Sequence, residues 1–268
     1  MSQFKQSALY FDASSKSYEL KDIQDDFIIG PIDFGYKQWE EDKKSFCFGA
    51  GSLAWSQIPG TRRLMFTGDS PLWGNFYIST MGGAAYTFAR LGINYVSING
   101  KAETYSILKI KRENDEVKAQ LEPLEHLEDI WRDYYGEIGV YALQKFLFDK
   151  YREEFLENKF RILVTGPASL KTNSGAIASA PIMQNELTPV DCWAGRGGIG
   201  SAMLQDHNIC AIVYGGDYEP SQDSKFKDRQ GIDEIFKENF EGKNMAKVDN
   251  EGTVKYRYNE ELQSGGTF

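Results

Sequence analysis

Trp193-Ala194-Gly195-Arg196-Gly197-Gly198-Ile199-Gly200 sets four glycines and one arginine, with no acidic side chain, just before the apolar run Ile209–Tyr214. Glycine tolerates positive φ and lets another backbone or a ligand come close. Glycines that open a helix leave free N–H groups at the positive end of its dipole, which suits an anion such as phosphate. A tight turn with a close helix–strand contact would look the same. The stretch has a counterpart, however. Gly82-Gly83, a short helix and Asn94–Gly100 answer to Gly197-Gly198, a short helix and Asn208–Gly215. The second glycine precedes the asparagine by 11 residues in one copy and by 10 in the other. Each copy has a strand-then-glycine segment upstream, Arg63–Gly68 and Arg161–Gly166. A repeat of this kind predicts two helix N-termini about a local pseudo-twofold axis, able to grip two anionic groups or two ends of one ligand.

The 268 residues can bury a substantial core, and 41% hydrophobic with 26% charged residues is ordinary globular composition. A net charge of -9 argues against a general nucleic-acid or anionic-membrane binder. The charge is uneven. Between residues 51 and 100, Arg62, Arg63 and Arg90 face a single acid, Asp69, so a small anion could be held there. Cys47, Cys192 and Cys210 are widely spaced and no CxxC occurs, which argues against a disulfide framework or a self-contained zinc or iron–sulfur site. The start of the chain lacks an apolar h-region, and no run of about 20 apolar residues occurs. A soluble cytoplasmic protein is expected.

Along the chain, Ala8–Asp12 and Ser17–Leu20 read as a hairpin, and Phe27–Trp39, with Gly30, Pro31 and aromatics, as an irregular connection. Ser45–Ala50 is a buried strand, with Leu53–Ser56 able to continue it. Arg63–Thr67 and Asn75–Ser79 form a second hairpin. A helix over Ala84–Leu91 closes at Gly92, and Asn94–Gly100 is a strand. Ser106–Lys111 and Val117–Leu121 pair around Glu113-Asn114-Asp115. An amphipathic helix runs from Ile138 to about Glu154, packing an aromatic stripe on a sheet. Phe160–Thr165 is a buried strand ending in Gly166-Pro167-Ala168, and a short helix near Ser201–Asp206 precedes Ile209–Tyr214. From residue 216 the composition turns polar and charged, with one short helix near Ile232–Phe240. The chain therefore divides into a domain over 1–215 and a charged linker, or start of a following domain, over 216–268.

Ala194-Gly195-Arg196-Gly197-Gly198-Ile199-Gly200-Ser201, followed by Asn208 and Ala211-Ile212-Val213, resembles the glycine-rich signature of the aldehyde ferredoxin oxidoreductase family. Further matches follow in order. Arg63 precedes Ser70-Pro71-Leu72, then come Gly82-Gly83 and Asn99-Gly100-Lys101-Ala102-Glu103. Gly166-Pro167-Ala168 stands before Ala178 and Ile182-Met183-Gln184-Asn185. The opening hairpin Leu9–Leu20 is also similar, so the resemblance covers about residues 8–215. It implies an α+β fold of two mixed or antiparallel β-sheets forming a saddle from two pseudo-symmetric repeats, with a few short helices. It also implies a tungstopterin: tungsten, or molybdenum, held by the dithiolenes of two pterins, beside a [4Fe-4S] cluster. Such enzymes oxidise aldehydes to carboxylic acids and pass the electrons to ferredoxin. By motif position Arg63 contacts a phosphate. The segments Thr80-Met81-Gly82-Gly83 and Trp193-Ala194-Gly195-Arg196-Gly197-Gly198 line the cofactor, and the backbone carbonyls of Thr80 and Trp193 hold a phosphate-bridging magnesium.

The departures are specific. Cys192 stands where the family commonly has arginine, Thr80 where it has asparagine, and Trp193 where it has alanine. The family's Gly-x-Arg-Gly motif is absent. Its cluster cysteines and proton-transfer residues belong to later helical domains. Cys47, Cys192 and Cys210 read as small buried hydrophobes, and His126 and His207 as surface residues. The chain alone is thus expected to be inactive and to work with C-terminal domains or a separate large subunit, with a homodimer possible in their absence. The alternative is a non-catalytic relative that keeps the fold as a binding or assembly module. A nucleotide-phosphate binder is disfavoured, since neither GxGxxG nor GxxxxGK[ST] follows a strand.

Overall fold

The computed structural model describes residues 6–58, 60–155, 160–219, 226 and 228–257. They divide into two units, Met1–Ala54 with Arg62–Pro220, and Trp55–Thr61 with Ser221–Phe268. The larger unit begins with the hairpin β1 (Gln6–Asp12) and β2 (Ser17–Ile23), helix α1 (Pro31–Glu41), and strands β3 (Phe46–Gly49), β4 (Leu64–Asp69) and β5 (Phe76–Met81). Helix α2 (Ala84–Phe88), continued by a tighter turn at Ala89–Leu91, leads to β6 (Tyr95–Asn99). A second half follows: hairpin β7 (Ser106–Glu113) and β8 (Glu116–Pro123), α3 (Leu127–Arg132), α4 (Gly139–Tyr151), β9 (Phe160–Thr165), α5 (Pro167–Lys171) and β10 (Ile177–Ser179). It continues with the small hairpin β11 (Ile182–Met183) and β12 (Glu186–Leu187), then β13 (Cys192–Ala194), α6 (Ile199–His207) and β14 (Ile209–Gly216).

The two halves share one topology. The first sheet has the order β2-β1-β6-β3-β4-β5, and the second, read in the corresponding direction, β8-β7-β14-β9-β10-β13. In each, the last strand inserts beside the first strand of the hairpin and runs parallel to it, β6 along β1 and β14 along β7. Every other pairing is antiparallel. Two mixed sheets with a few helices are what the family resemblance implied. The alignment of the halves differs in one respect. β4 corresponds to β10, and β9 to β3, so Arg63–Gly68 and Arg161–Gly166 are not equivalent strands.

The main core lies between the sheets, where Leu9, Phe48 and Phe66 meet Leu108, Leu163 and Tyr214. Helices α2 and α6 enter this core. α2 packs on β9 and β14 of the second sheet, and α6 on β4 of the first as well as on β14. The Phe88 ring bridges the sheets, with centroids 5.6 Å from Phe48 and 5.6 Å from Tyr214. The Tyr214 hydroxyl donates to the Ala84 carbonyl at 2.9 Å. The outer face of the second sheet is covered by α3 and α4 through Trp131, Leu147 and Phe148. The outer face of the first is covered by α1 through Phe34, stacked on Tyr95 at 4.7 Å.

Several local expectations are corrected. Residues 31–41 form a helix rather than an irregular connection. Pro31 sits at the first helical position, where its missing N–H costs nothing, and the Asp33 carboxylate accepts from the Gly30 and Ile29 amides at 3.1 and 3.2 Å. Gly35 lets α1 settle on β4, because a Cβ there would collide with Thr67. Leu53–Ser56 is turn, not a continuation of β3. In the smaller unit two helices form, α7 (Arg229–Asn239) and α8 (Met245–Arg257), of which only the first was expected. The Asp228 carboxylate caps α7 by accepting from the Gly231 amide at 2.7 Å.

Two features generate predictions. Both inter-sheet helices start from glycine N-caps in the left-handed region, Gly83 at φ 72° and Gly198 at φ 68°. A Cβ on Gly83 would meet nothing within 4 Å, whereas one on Gly198 would run into the Asn173 carbonyl. Gly83→Ala is therefore expected to cost only the backbone term, about 1 kcal/mol, and Gly198→Ala roughly 3 kcal/mol or more, in urea unfolding. Similar costs for the two would refute this account. Second, the Glu122 carboxylate accepts from Lys109 (2.9 Å), Lys150 (2.9 Å) and the Tyr151 hydroxyl (2.8 Å), joining the β7–β8 hairpin to α4. Burial pushes this carboxyl up, but the three donors outweigh it and hold it down at about 2. Its stabilisation is then complete above the ordinary carboxylate range and lost as pH falls from about 4.5 towards 2. Glu122→Gln should cost about 1–2 kcal/mol at neutral pH, allowing for solvent screening, and flatten that part of the stability–pH curve.

Candidate functional site

The two glycine segments come together because β5 and β13, the edge strands they follow, lie against each other. The segment after β13 is clamped by the first half. The Ser70 hydroxyl donates to the Gly197 carbonyl at 2.6 Å, and the Asn173 amide donates to the Pro71 carbonyl at 3.2 Å. Gly197, at φ 74°, lies so close under the Tyr77 ring that a Cβ there would overlap it. The segment after β5 has no such cover: a Cβ on Gly82 or Gly83 would meet nothing within 4 Å. Gly195 is similarly open, with only the Cβ of Trp193 at 3.9 Å. Gly197 and Gly198 are thus enclosed, whereas Gly82, Gly83 and Gly195 offer bare backbone to a ligand.

The charges around these segments are cationic and unanswered. Arg63 is exposed at the start of β4, with Nη1 3.5 Å from the Thr80 hydroxyl. Arg196 is exposed within the second glycine segment. Arg161 is buried on β9 and donates from Nε to the Ser179 hydroxyl at 2.7 Å. Among the described residues, none of these three lies within 4.0 Å of a carboxylate. For the buried Arg161 an uncompensated charge costs free energy, so an anion reaching it would bind favourably. Arginine's planar fork suits phosphate in particular.

Other expected site residues fall into place differently. The side chains of Met81 and Ala194 are buried in the inter-sheet core, so only their backbone faces outward. Thr80 and Cys192 are half-buried. Trp193 is 43% exposed and Trp73 69%, with Leu72 beside it at 48%. Cys47 and Cys210 are buried, and burial pushes both thiols up to about 12, as inert small side chains. His126 is exposed, but His207 is buried, a correction to its expected surface position. Its ring nitrogens lie 2.6 Å from the Gly100 carbonyl and 2.9 Å from the Lys44 carbonyl, so it joins the end of α6 to the first half. Among the described residues no three of histidine, cysteine, aspartate and glutamate gather as a metal site. Arg161 escaped notice in the sequence. Its signal was a single charge inside the otherwise apolar strand Phe160-Arg161-Ile162-Leu163-Val164.

A glyceraldehyde-3-phosphate:ferredoxin oxidoreductase of Pyrococcus furiosus is 41% identical over 227 residues, covering 82% of this chain and 34% of that protein. An uncharacterised protein of Methanocaldococcus jannaschii is 35% identical over 268 residues, covering 96% of this chain and 39% of that one. The chain thus spans little more than a third of the length of these relatives. Among solved structures, the active-site complex BamBC of benzoyl coenzyme A reductase, in complex with 1,5-dienoyl-CoA, shares the fold. It matches with TM-score 0.63 at 20% identity, over 80% of this chain and 31% of that one. The family described as aldehyde ferredoxin oxidoreductase, N-terminal domain, matches residues 9–216. With both glycine segments and all but the first residues of β1 inside that match, the chain belongs to the aldehyde ferredoxin oxidoreductase family, as its N-terminal domain.

Proposed function

We propose that this chain is the cofactor cradle of a tungsten- or molybdenum-dependent oxidoreductase that converts aldehydes to carboxylic acids and delivers the electrons to ferredoxin. The observation that supports this best is the joined pair of glycine segments flanked by three arginines that have no carboxylate partner among the described residues. A bis-pterin cofactor has two terminal phosphates, and the site offers open backbone at Gly82, Gly83 and Gly195 with cations beside it. The residues present therefore fit such a group. In this reading Arg63 and Arg196 neutralise phosphate charge. The amides of the two glycine segments supply directed donors. The backbone carbonyls of Thr80 and Trp193 would hold a magnesium ion that accompanies the phosphate charge. The bound metal supplies the two-electron oxidation. This domain's own part is to bind, orient and fix the cofactor against a rigid sheet pair. Substrate contacts, proton transfer and the [4Fe-4S] cluster belong to polypeptide beyond the cradle. The phosphorylated aldehyde named for the Pyrococcus relative is the first substrate to test.

The decisive experiment is anoxic purification of the chain together with the polypeptide that completes the length of its relatives. Tungsten and molybdenum would be measured by mass spectrometry, and pterin by fluorescence after oxidation. Metal and pterin in stoichiometric amount are expected, and a folded complex containing neither would refute the reading. Gly82→Ala tests the cradle itself. Because Gly82 faces open space, stability should change by about 0.5 kcal/mol or less, while metal content falls several-fold.

The exposed Leu72, Trp73 and Trp193 form an apolar rim that the completing polypeptide would cover. Produced without it, the chain is expected to self-associate through this rim. Light scattering should show a mass that rises with concentration and returns to monomer in Trp73→Ser; a wild-type chain that stays monomeric would count against the rim as an interface.

A further inference from the structure

Arg161 is 3% exposed. Its neighbours Phe160, Ile162 and Val164 belong to the core beneath α4, and Leu163 to the core between the sheets. Strand alternation therefore places the Arg161 side chain on the inter-sheet face. There it stands opposite Tyr214 in register, whose hydroxyl reaches the Ala84 carbonyl one residue beyond Gly83. Its Nε bonds the hydroxyl of Ser179, which pairs in register with Cys192 at the start of β13. The guanidinium thus sits between the two glycine segments, on the core side. Its Nη2 is buried and, among the described residues, has no hydrogen-bond partner. Among the described residues no carboxylate lies within ion-pair distance. Lysine or histidine could shed its proton in such a place, but arginine cannot. A buried guanidinium with an idle donor and no counter-charge is a half-made contact.

We infer that Arg161 is an anion receptor that completes its ion pair with a phosphate group seated at Gly82–Gly83 and Cys192–Gly198. Ser179 fixes the plane of the guanidinium and leaves the Nη edge for the phosphate oxygens. Cys192 stands next to Ser179 across the β10–β13 ladder. The inference rests on the cradle reading for the identity of the phosphate, but not for its existence.

Two measurements on the complete protein test it. In the cofactor-free protein, melting is followed with inorganic phosphate or pyrophosphate against chloride at matched ionic strength. Wild type should melt several degrees higher with the phosphates, and Arg161→Met should lose that increment while melting no lower than wild type in chloride. A merely structural arginine would give the opposite, a lower melting temperature in chloride and an unchanged increment. In the loaded protein, Arg161→Met should retain at least tenfold less pterin and metal, and Arg161→Lys, which keeps the charge but not the fork, an intermediate amount. Should Arg161→Met not fold, the wild-type phosphate increment and its reduction in Arg161→Lys decide the matter. Wild-type levels of pterin in Arg161→Met, or no phosphate increment in wild type, overturn the inference. A phosphate increment lost in Arg161→Met, together with a wild type devoid of pterin and metal, upholds the receptor and refutes the cradle.

Discussion

Each edge strand beside the site must turn abruptly into the space between the sheets, and the rest of the molecule depends on how it does so. β5 and β13 end at the surface, while the helices they lead to are buried between sheets. Left-handed N-caps at Gly83 and Gly198 make that reversal with almost no loop. Because the turn is tight, α2 and α6 arrive where they can pack on both sheets, and Phe88 and Met203 join one core. Because it is made of glycine, the same turn leaves backbone uncovered at the surface. The device that closes the core also creates the candidate site.

The halves are topologically alike but not equally packed. The second glycine segment is held by Ser70, Tyr77 and the loop around Asn173, while the first is open. Two similar ligand groups would meet unlike grips, one pre-organised and one free to adapt. The unlike grips follow from loops of different length, 70–75 in the first half against 180–191 in the second. The shared sheet order is untouched by that difference.

Much of the fold was legible because its strands are apolar, short and bounded by glycine, and because glycine pairs mark both inter-sheet helices. What escaped had physical reasons. Pro31 was read as an interruption although it begins a helix, since a single chain gives no sign that Asp33 will take up the free amides. α3 and α5, of six and five residues, are too short to show periodicity. α8 carries few aliphatic residues in a charged context. The correspondence of the halves was misaligned because β4 and β9 both end near a glycine, whereas only hydrogen-bond register reveals which strands are equivalent. Of the candidate site, the glycines and Arg63 were legible from motif spacing. Arg161 and the burial of His207 were not, because each depends on which face of an element meets the other half.

The insertion of β6 between β1 and β3 has a consequence in time. Ala8 pairs with Tyr95, so the first sheet cannot be completed until residue 99 has been made. α2 then waits for β9 and β14, the last of which ends at Gly216. Contacts this distant in sequence make for slow closure, and during synthesis the first half remains with an apolar face uncovered. The nascent chain is therefore most exposed to aggregation just before β14 leaves the ribosome, and a cradle for any ligand exists only after it has.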